Sequence, residues 1–122
     1  MGMPTTPAFD ASTLVGSTWV AEDIAHRGVI DYLQSRLQFV GTDRVAGSGG
    51  CNVFNGRAEL SADRLRIGPL AATKKLCPPA IMDQEDRFLR ALESVRSGRM
   101  QNGLLYLQDD TGDDILRFSR VE

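Results

Sequence analysis

The alternation of apolar and polar residues describes a succession of short β-strands interrupted once by a helix. Residues 17–24 are rich in β-formers and roughly alternating, which predicts a first strand headed by Trp19. Trp19 is the single tryptophan, and its large apolar area suits a core anchor better than a ligand-stacking platform. His26, Arg27 and Gly28 break the pattern and predict a loop returning Val29, Ile30 and Tyr32 toward the sheet. A second strand is expected over residues 35–40, inward at Leu37 and Phe39. Gly41-Thr42-Asp43 reads as a turn, after which residues 44–47 return antiparallel.

Residues 53–60 predict a further strand, with Gly56 as a bulge or a place of close backbone approach. Ser61-Ala62-Asp63 turns into residues 64–67, whose strict alternation describes a strand with one wet face; Gly68-Pro69 is expected to stop it. Residues 70–76 carry a weaker strand pattern, ended by Cys77-Pro78-Pro79. One helix follows over about residues 79–95: a proline start, then Phe88, Ala91, Leu92 and Val95 at i, i+3, i+4 and i+7, a stripe that packs on a sheet. Asp83, Glu85 and Asp86 read as acids complementing the dipole in its first turns, and Arg96, Ser97 and Gly98 as its end. Strands over residues 104–108 and 115–118, joined by an acidic hairpin loop at 109–114, close the chain.

About seven short antiparallel strands with one helix describe an α+β, mainly β, domain: a sheet rolled into a small barrel with the helix packed against it. A doubly wound α/β fold would need crossover helices that the pattern lacks. Residues 1–13, with two prolines and no basic-then-apolar sequence, are expected to form a flexible tail outside a domain spanning 14–120.

The stretch Gly47-Ser48-Gly49-Gly50-Cys51-Asn52 is the most informative in the chain, because glycines tolerate sharp bends and close backbone contact. It is not a phosphate loop, since no Lys-Ser/Thr follows Gly50 and the next segment is strand-like. Asn52 is expected to hydrogen-bond backbone in the bend. Cys51 and Cys77 are the chain's 2 cysteines. They form either a disulfide, if the compartment is oxidising, or two small buried hydrophobes in a reducing one. A third reading makes Cys77 a nucleophile with His26, the sole imidazole, as its base; Pro78 and Pro79 argue against it by removing donors where a helix start would stabilise a thiolate.

One histidine and two distant cysteines do not make a zinc set, and Asp109, Asp110, Asp113 and Asp114 lack EF-hand spacing, so the loop reads as a solvated hairpin and no metal or cofactor is expected. Composition adds two exclusions. A formal charge of −2 with mixed signs leaves no basic stripe for nucleic acid, and no apolar run is long enough to span a bilayer.

Gly49-Gly50-Cys51-Asn52 followed by Gly56, then Leu65-Arg66-Ile67, Thr73, Cys77, Glu85 with Phe88 and Leu92, and Leu105-Tyr106-Leu107 before Asp110 and Gly112 together resemble the META/HslJ domain. The opening Leu14-Val15-Gly16-Ser17-Thr18-Trp19 resembles that domain's start. Ala58 and Lys75 depart from the family's aromatic and methionine at those places, which implies different local packing near Cys77.

The resemblance implies a compact barrel related in shape to lipocalins and secretion pilot lipoproteins, and in bacteria a place in the cell envelope, linked to heat or antibiotic stress, without established catalysis. It further implies a periplasmic or outer-membrane-associated protein if an export segment has been removed ahead of the chain, and a cytoplasmic one otherwise. The expected partner is an envelope protein or a small apolar ligand held in the barrel, the chain itself being a monomer. Gly49, Gly50, Cys51, Asn52, Gly56, Thr73 and Cys77 are its expected structural motif.

Overall fold

A computed structural model describes residues 9–121. In chain order it contains β1 (Thr18–Ile24), β2 (Arg27–Gly28), β3 (Arg36–Phe39), β4 (Arg44–Ser48), β5 (Val53–Ser61), β6 (Arg64–Ala72), α1 (Pro79–Ser94), β7 (Ser97–Gln101), β8 (Leu104–Gln108) and β9 (Asp114–Arg120). Adjacent strands in the order β1-β3-β4-β5-β6-β7-β8-β9 pair antiparallel, and β9 pairs back onto β1, closing a barrel-like ring. Closure removes the open strand edges at which sheets otherwise aggregate. The thinnest seam is β6–β7, which share the register pair Arg64↔Ser97. There the helix covers the edge, with Glu93 Oε2 accepting a hydrogen bond from the Leu70 N–H at 3.0 Å.

The inward-facing positions fill the ring. Phe39, Leu37, Val45, Leu65, Leu105, Leu107, Leu116 and Phe118 are essentially inaccessible, and α1 contributes Phe88 and Leu92 to the same core. The Phe88 ring meets Phe54 and Phe118 edge-on at 5.9 and 6.1 Å between centroids, so the helix is joined to β5 and β9 through one aromatic cluster. Trp19 is a core residue, with its indole N–H donating to Ser17 Oγ at 2.6 Å.

Several local expectations need correction. Gly68-Pro69 does not stop β6. Gly56 pairs with Leu70 and Ala58 with Ile67, so Gly68 and Pro69 together oppose the single residue Arg57, and a bulge is where an interior proline is tolerated. The strand therefore runs on to Ala72, and residues 73–78 carry no regular structure. Gly56 lies opposite this irregularity, where an added Cβ would stand 2.6 Å from the Pro69 carbonyl oxygen.

Gly98 is no helix cap. α1 ends at Ser94 with Val95 extended, while Gly98 sits inside β7, where a Cβ would crowd Leu65 and Leu107 at 3.0 and 3.1 Å. Arg96 does serve the helix end, donating to the carbonyls of Glu93 and Val95 at 3.1 and 2.7 Å. The first turn of α1 holds no acid. Asp83 and Asp86 instead pair with Arg87 and Arg90 four residues on, and Glu85 is buried.

The nine strands among the described residues exceed the expected seven or so because two hairpins escape the pattern. Ala25 and His26, with φ of 51° and 65°, turn β1 into β2; Asn102 and Gly103, with φ of 53° and 78°, turn β7 into β8. Positive φ at both turn positions is the type I′ requirement, and Asn-Gly is its strongest sequence signal. At the chain start, residues 1–8 lie outside the described residues, but the expected tail does not reach residue 13. Ala11–Leu14 form a 3₁₀ turn capped by Asp10, with Ala11 and Leu14 buried and the Ala11 N–H bonded to the Ala62 carbonyl.

Ala62 itself holds φ at 53° in the β5–β6 turn. Ala62→Gly removes the left-handed penalty on a Cβ and is expected to stabilise the domain by about 0.5–1 kcal/mol, seen as a higher urea midpoint at unchanged slope.

Candidate functional site

The glycine-rich bend, the segment after β6 and the start of α1 meet at one junction. Asn52, 3% exposed, is its hub. Its side-chain amide donates to Glu85 Oε2 at 2.7 Å and to the Lys75 carbonyl at 3.2 Å, while its Oδ1 accepts from Thr73 Oγ1 at 2.9 Å and from the Lys75 N–H at 2.7 Å. Two donors and two acceptors exhaust what an asparagine amide offers. Thr73 Oγ1 in turn accepts from the Val53 N–H at 3.2 Å.

Glu85 receives the bend from the helix side. Its Oε1 accepts the backbone N–H groups of Cys51 at 3.1 Å and Asn52 at 2.5 Å, so one carboxylate takes three hydrogen bonds at 4% exposure. Beside it Gln84 accepts from the Ile30 N–H at 2.8 Å and donates to Ser35 Oγ at 3.1 Å, and that hydroxyl donates to the Gly49 carbonyl. The bend is thus held by a continuous polar layer whose members are satisfied, the condition under which buried polar groups rigidify a structure instead of weakening it.

The glycines are required by this closeness. A Cβ on Gly49 would collide with the Glu85 Cγ, and one on Gly50, at φ +118°, would stand 2.9 Å from Leu33. Cys51 and Cys77 are joined by a disulfide, with Cα atoms 6.2 Å apart, across the same junction. Of the expected motif, Gly49, Gly50, Cys51, Asn52, Thr73 and Cys77 therefore converge in one place, and Gly56 lies apart at the β5–β6 bulge.

Sequence reasoning overlooked Ser35 and Gln84 and gave Glu85 only a dipole role. A signal existed: Gln84 and Glu85 stand four and three residues before Phe88, on the face of the apolar stripe, where a polar side chain must be buried with partners.

The remaining candidate groups lie elsewhere. Cys77, being bridged, offers no thiol, and His26 is not beside it: its Nε2 is 2.7 Å from Asp113 Oδ2. The acidic loop 109–114 caps itself. Asp109 Oδ1 accepts from the Thr111 hydroxyl and backbone at 2.6 and 2.9 Å and from the Asp113 N–H at 3.1 Å, and the Thr111 hydroxyl chiefly holds its carboxyl below the usual range. Partial burial raises Asp114, but hydrogen bonds from Gln108 and Arg99 outweigh it and leave that carboxyl lowered as well. Among the described residues no three acidic, cysteine or histidine side chains are grouped to hold a metal, and no helix is long and apolar enough to cross a membrane.

The hydrogen bond to Asp113, followed by its charge, raises the His26 pKa above the ordinary histidine value. A raised histidine contributes stability below its unfolded pKa and loses it as pH rises through the folded one. The imidazole is well exposed, so the effect on stability is small and the clean readout is NMR. The His26 ring resonance should titrate above the free-histidine value, and Asp113→Asn should bring it down.

Comparison with known proteins agrees with this fold. The chain is similar to the NMR structure of a protein from Burkholderia xenovorans, at a TM-score of 0.73 and 23% identity, covering 99% of this chain and 98% of that one. A second NMR structure matches at 0.71 and 21% identity over 91% of this chain and 94% of the other. No curated protein sequence matches. The family model of the META domain matches residues 12–122. With the glycine bend, the bridged cysteines and the barrel-like ring in place, the chain belongs to the META domain family.

Proposed function

We propose that this META domain is a non-enzymatic scaffold of the cell envelope that acts in a stress response by contact between its outer surface and another protein. The observation that carries this reading is the filled ring: Phe39, Phe88 and Phe118, with the leucines around them, occupy the interior that a carrier would give to its ligand. The carrier reading suggested by barrel shape would require those side chains to move aside. Apart from Gly56, the family motif is taken up in the junction, where the Asn52 and Thr73 side chains spend their hydrogen bonds on the fold. The disulfide fits an oxidising compartment such as the periplasm.

Native mass spectrometry of protein purified from its host tests the reading. A ligand-free domain with a stoichiometric copurifying chain is expected; a retained lipid would make it a carrier instead.

A further inference from the structure

The ion pairs are unevenly distributed over the barrel. Arg27, Arg87, Arg90, Arg99 and Arg117 each pair with a carboxylate, and they lie on β2, α1, β7 and β9. On the outer face of β4–β6 the arginines are treated differently. Arg44 stands directly across from Arg57 in the β4–β5 register, an arrangement of like charges that costs stability, and among the described residues neither they nor Arg66 forms an ion pair. These three guanidinium groups line one groove of about 360 Å³ together with Asp43 and Glu59.

A second groove of about 520 Å³ continues across β1, β3, β4 and β5, lined by Arg36, Gln38, Asn55 and the half-exposed Val53 among others. Arg44 of the first groove donates through Nη2 to Asn55 Oδ1 of the second at 3.2 Å. This outer face thus carries two neighbouring grooves with four arginines, side-chain amides and an apolar spot, on a chain whose formal charge is −2.

We propose that this outer face of β3–β6 docks an extended acidic segment of a partner polypeptide. This rests on the interaction reading above. The arginine fork matches a carboxylate in two parallel hydrogen bonds, Gln38 and Asn55 can bond a peptide backbone, and Val53 can meet an apolar side chain. A strand-like chain can enter these grooves, whereas a bilayer surface touches what protrudes. Asp43 and Glu59 sit among the arginines as competitors for an incoming carboxylate and set a preference for partners that supply several.

Fluorescence anisotropy with a labelled polyglutamate peptide tests this at low ionic strength. Binding is expected, weakening as salt is added. R44E/R57E should weaken it about tenfold or more, while D43N/E59Q should tighten it. R90E on the helix should leave it unchanged. R44E alone places opposite charges across the β4–β5 pair, so it should fold at least as stably as the parent while binding less. Equal binding by R44E/R57E and the parent would overturn the proposal, as would equal losses in R90E or binding confined to phosphatidylglycerol vesicles or a DNA oligonucleotide. If a copurifying chain is found but survives R44E/R57E, the docking face is wrong and the interaction reading stands; if no chain copurifies, that reading itself fails.

Discussion

Glu85→Ala is expected to destabilise the domain by about 3–5 kcal/mol, because each buried donor left without a partner costs roughly 1–3 kcal/mol and this carboxylate serves three. Truncation admits some water, which keeps the loss below the simple total. Glu85→Gln discriminates a hydrogen-bonding role from mere volume. Its oxygen can still accept the Cys51 and Asn52 N–H groups, but its amide would face the Asn52 amide donor to donor. An intermediate loss of about 1–3 kcal/mol is therefore expected. Urea unfolding of the parent and both variants gives the order directly; a Gln variant as stable as the parent would show that the third contact contributes nothing.

Breaking the Cys51–Cys77 bridge comes next. The chain-entropy treatment assigns a loop of this length about 3.5 kcal/mol. Reductant should lower the thermal midpoint by about 14 °C, and a C51A/C77A variant should match the reduced parent. The domain should stay folded, since Asn52 and Glu85 hold the same junction without the sulfurs. The bridge acts mainly on the unfolded chain and the carboxylate on the folded one, so the two losses should be nearly additive. Reduced E85A protein would then lose about 7 kcal/mol, enough to unfold a domain of ordinary stability. An unchanged midpoint in reductant would contradict the bridge.

The legible parts of the fold were those where one local signal decided the outcome. Alternation at Arg64-Leu65-Arg66-Ile67 and the Phe88, Ala91, Leu92 stripe of α1 each follow from which face meets the core and appear as expected, although Val95, the expected last member of the stripe, is buried just past the helix end in extended backbone. Ala25-His26 does not announce a hairpin, because alanine has no preference for positive φ and the turn is imposed by the pairing of β1 with β9 and β2. Asn102-Gly103, by contrast, carries the Asn-Gly hairpin signal. Pro69 misled for a different reason: whether a proline ends a strand depends on the register of its neighbour, which is a tertiary property.

The junction was half visible. Glycines, cysteines and Asn52 mark the bend by type, but nothing local tells that Glu85, 33 residues after Asn52, closes it. A charged residue three positions before a core phenylalanine was the clue. Alternation shows that Arg66 faces outward, but that the outer-face arginines lack partners is a property of their neighbours in space and is not written in the sequence.

The glycine bend is a locked structural junction. Amide hydrogen exchange at Cys51 and Asn52 in the oxidised protein addresses it most directly. Their N–H groups are given to Glu85, so they should exchange as slowly as the barrel amides of Leu37 and Leu116, by opening close to global unfolding. Exchange at the rate of an exposed loop, with the barrel amides still protected, would mean that the bend is open and that the junction does not hold the domain together.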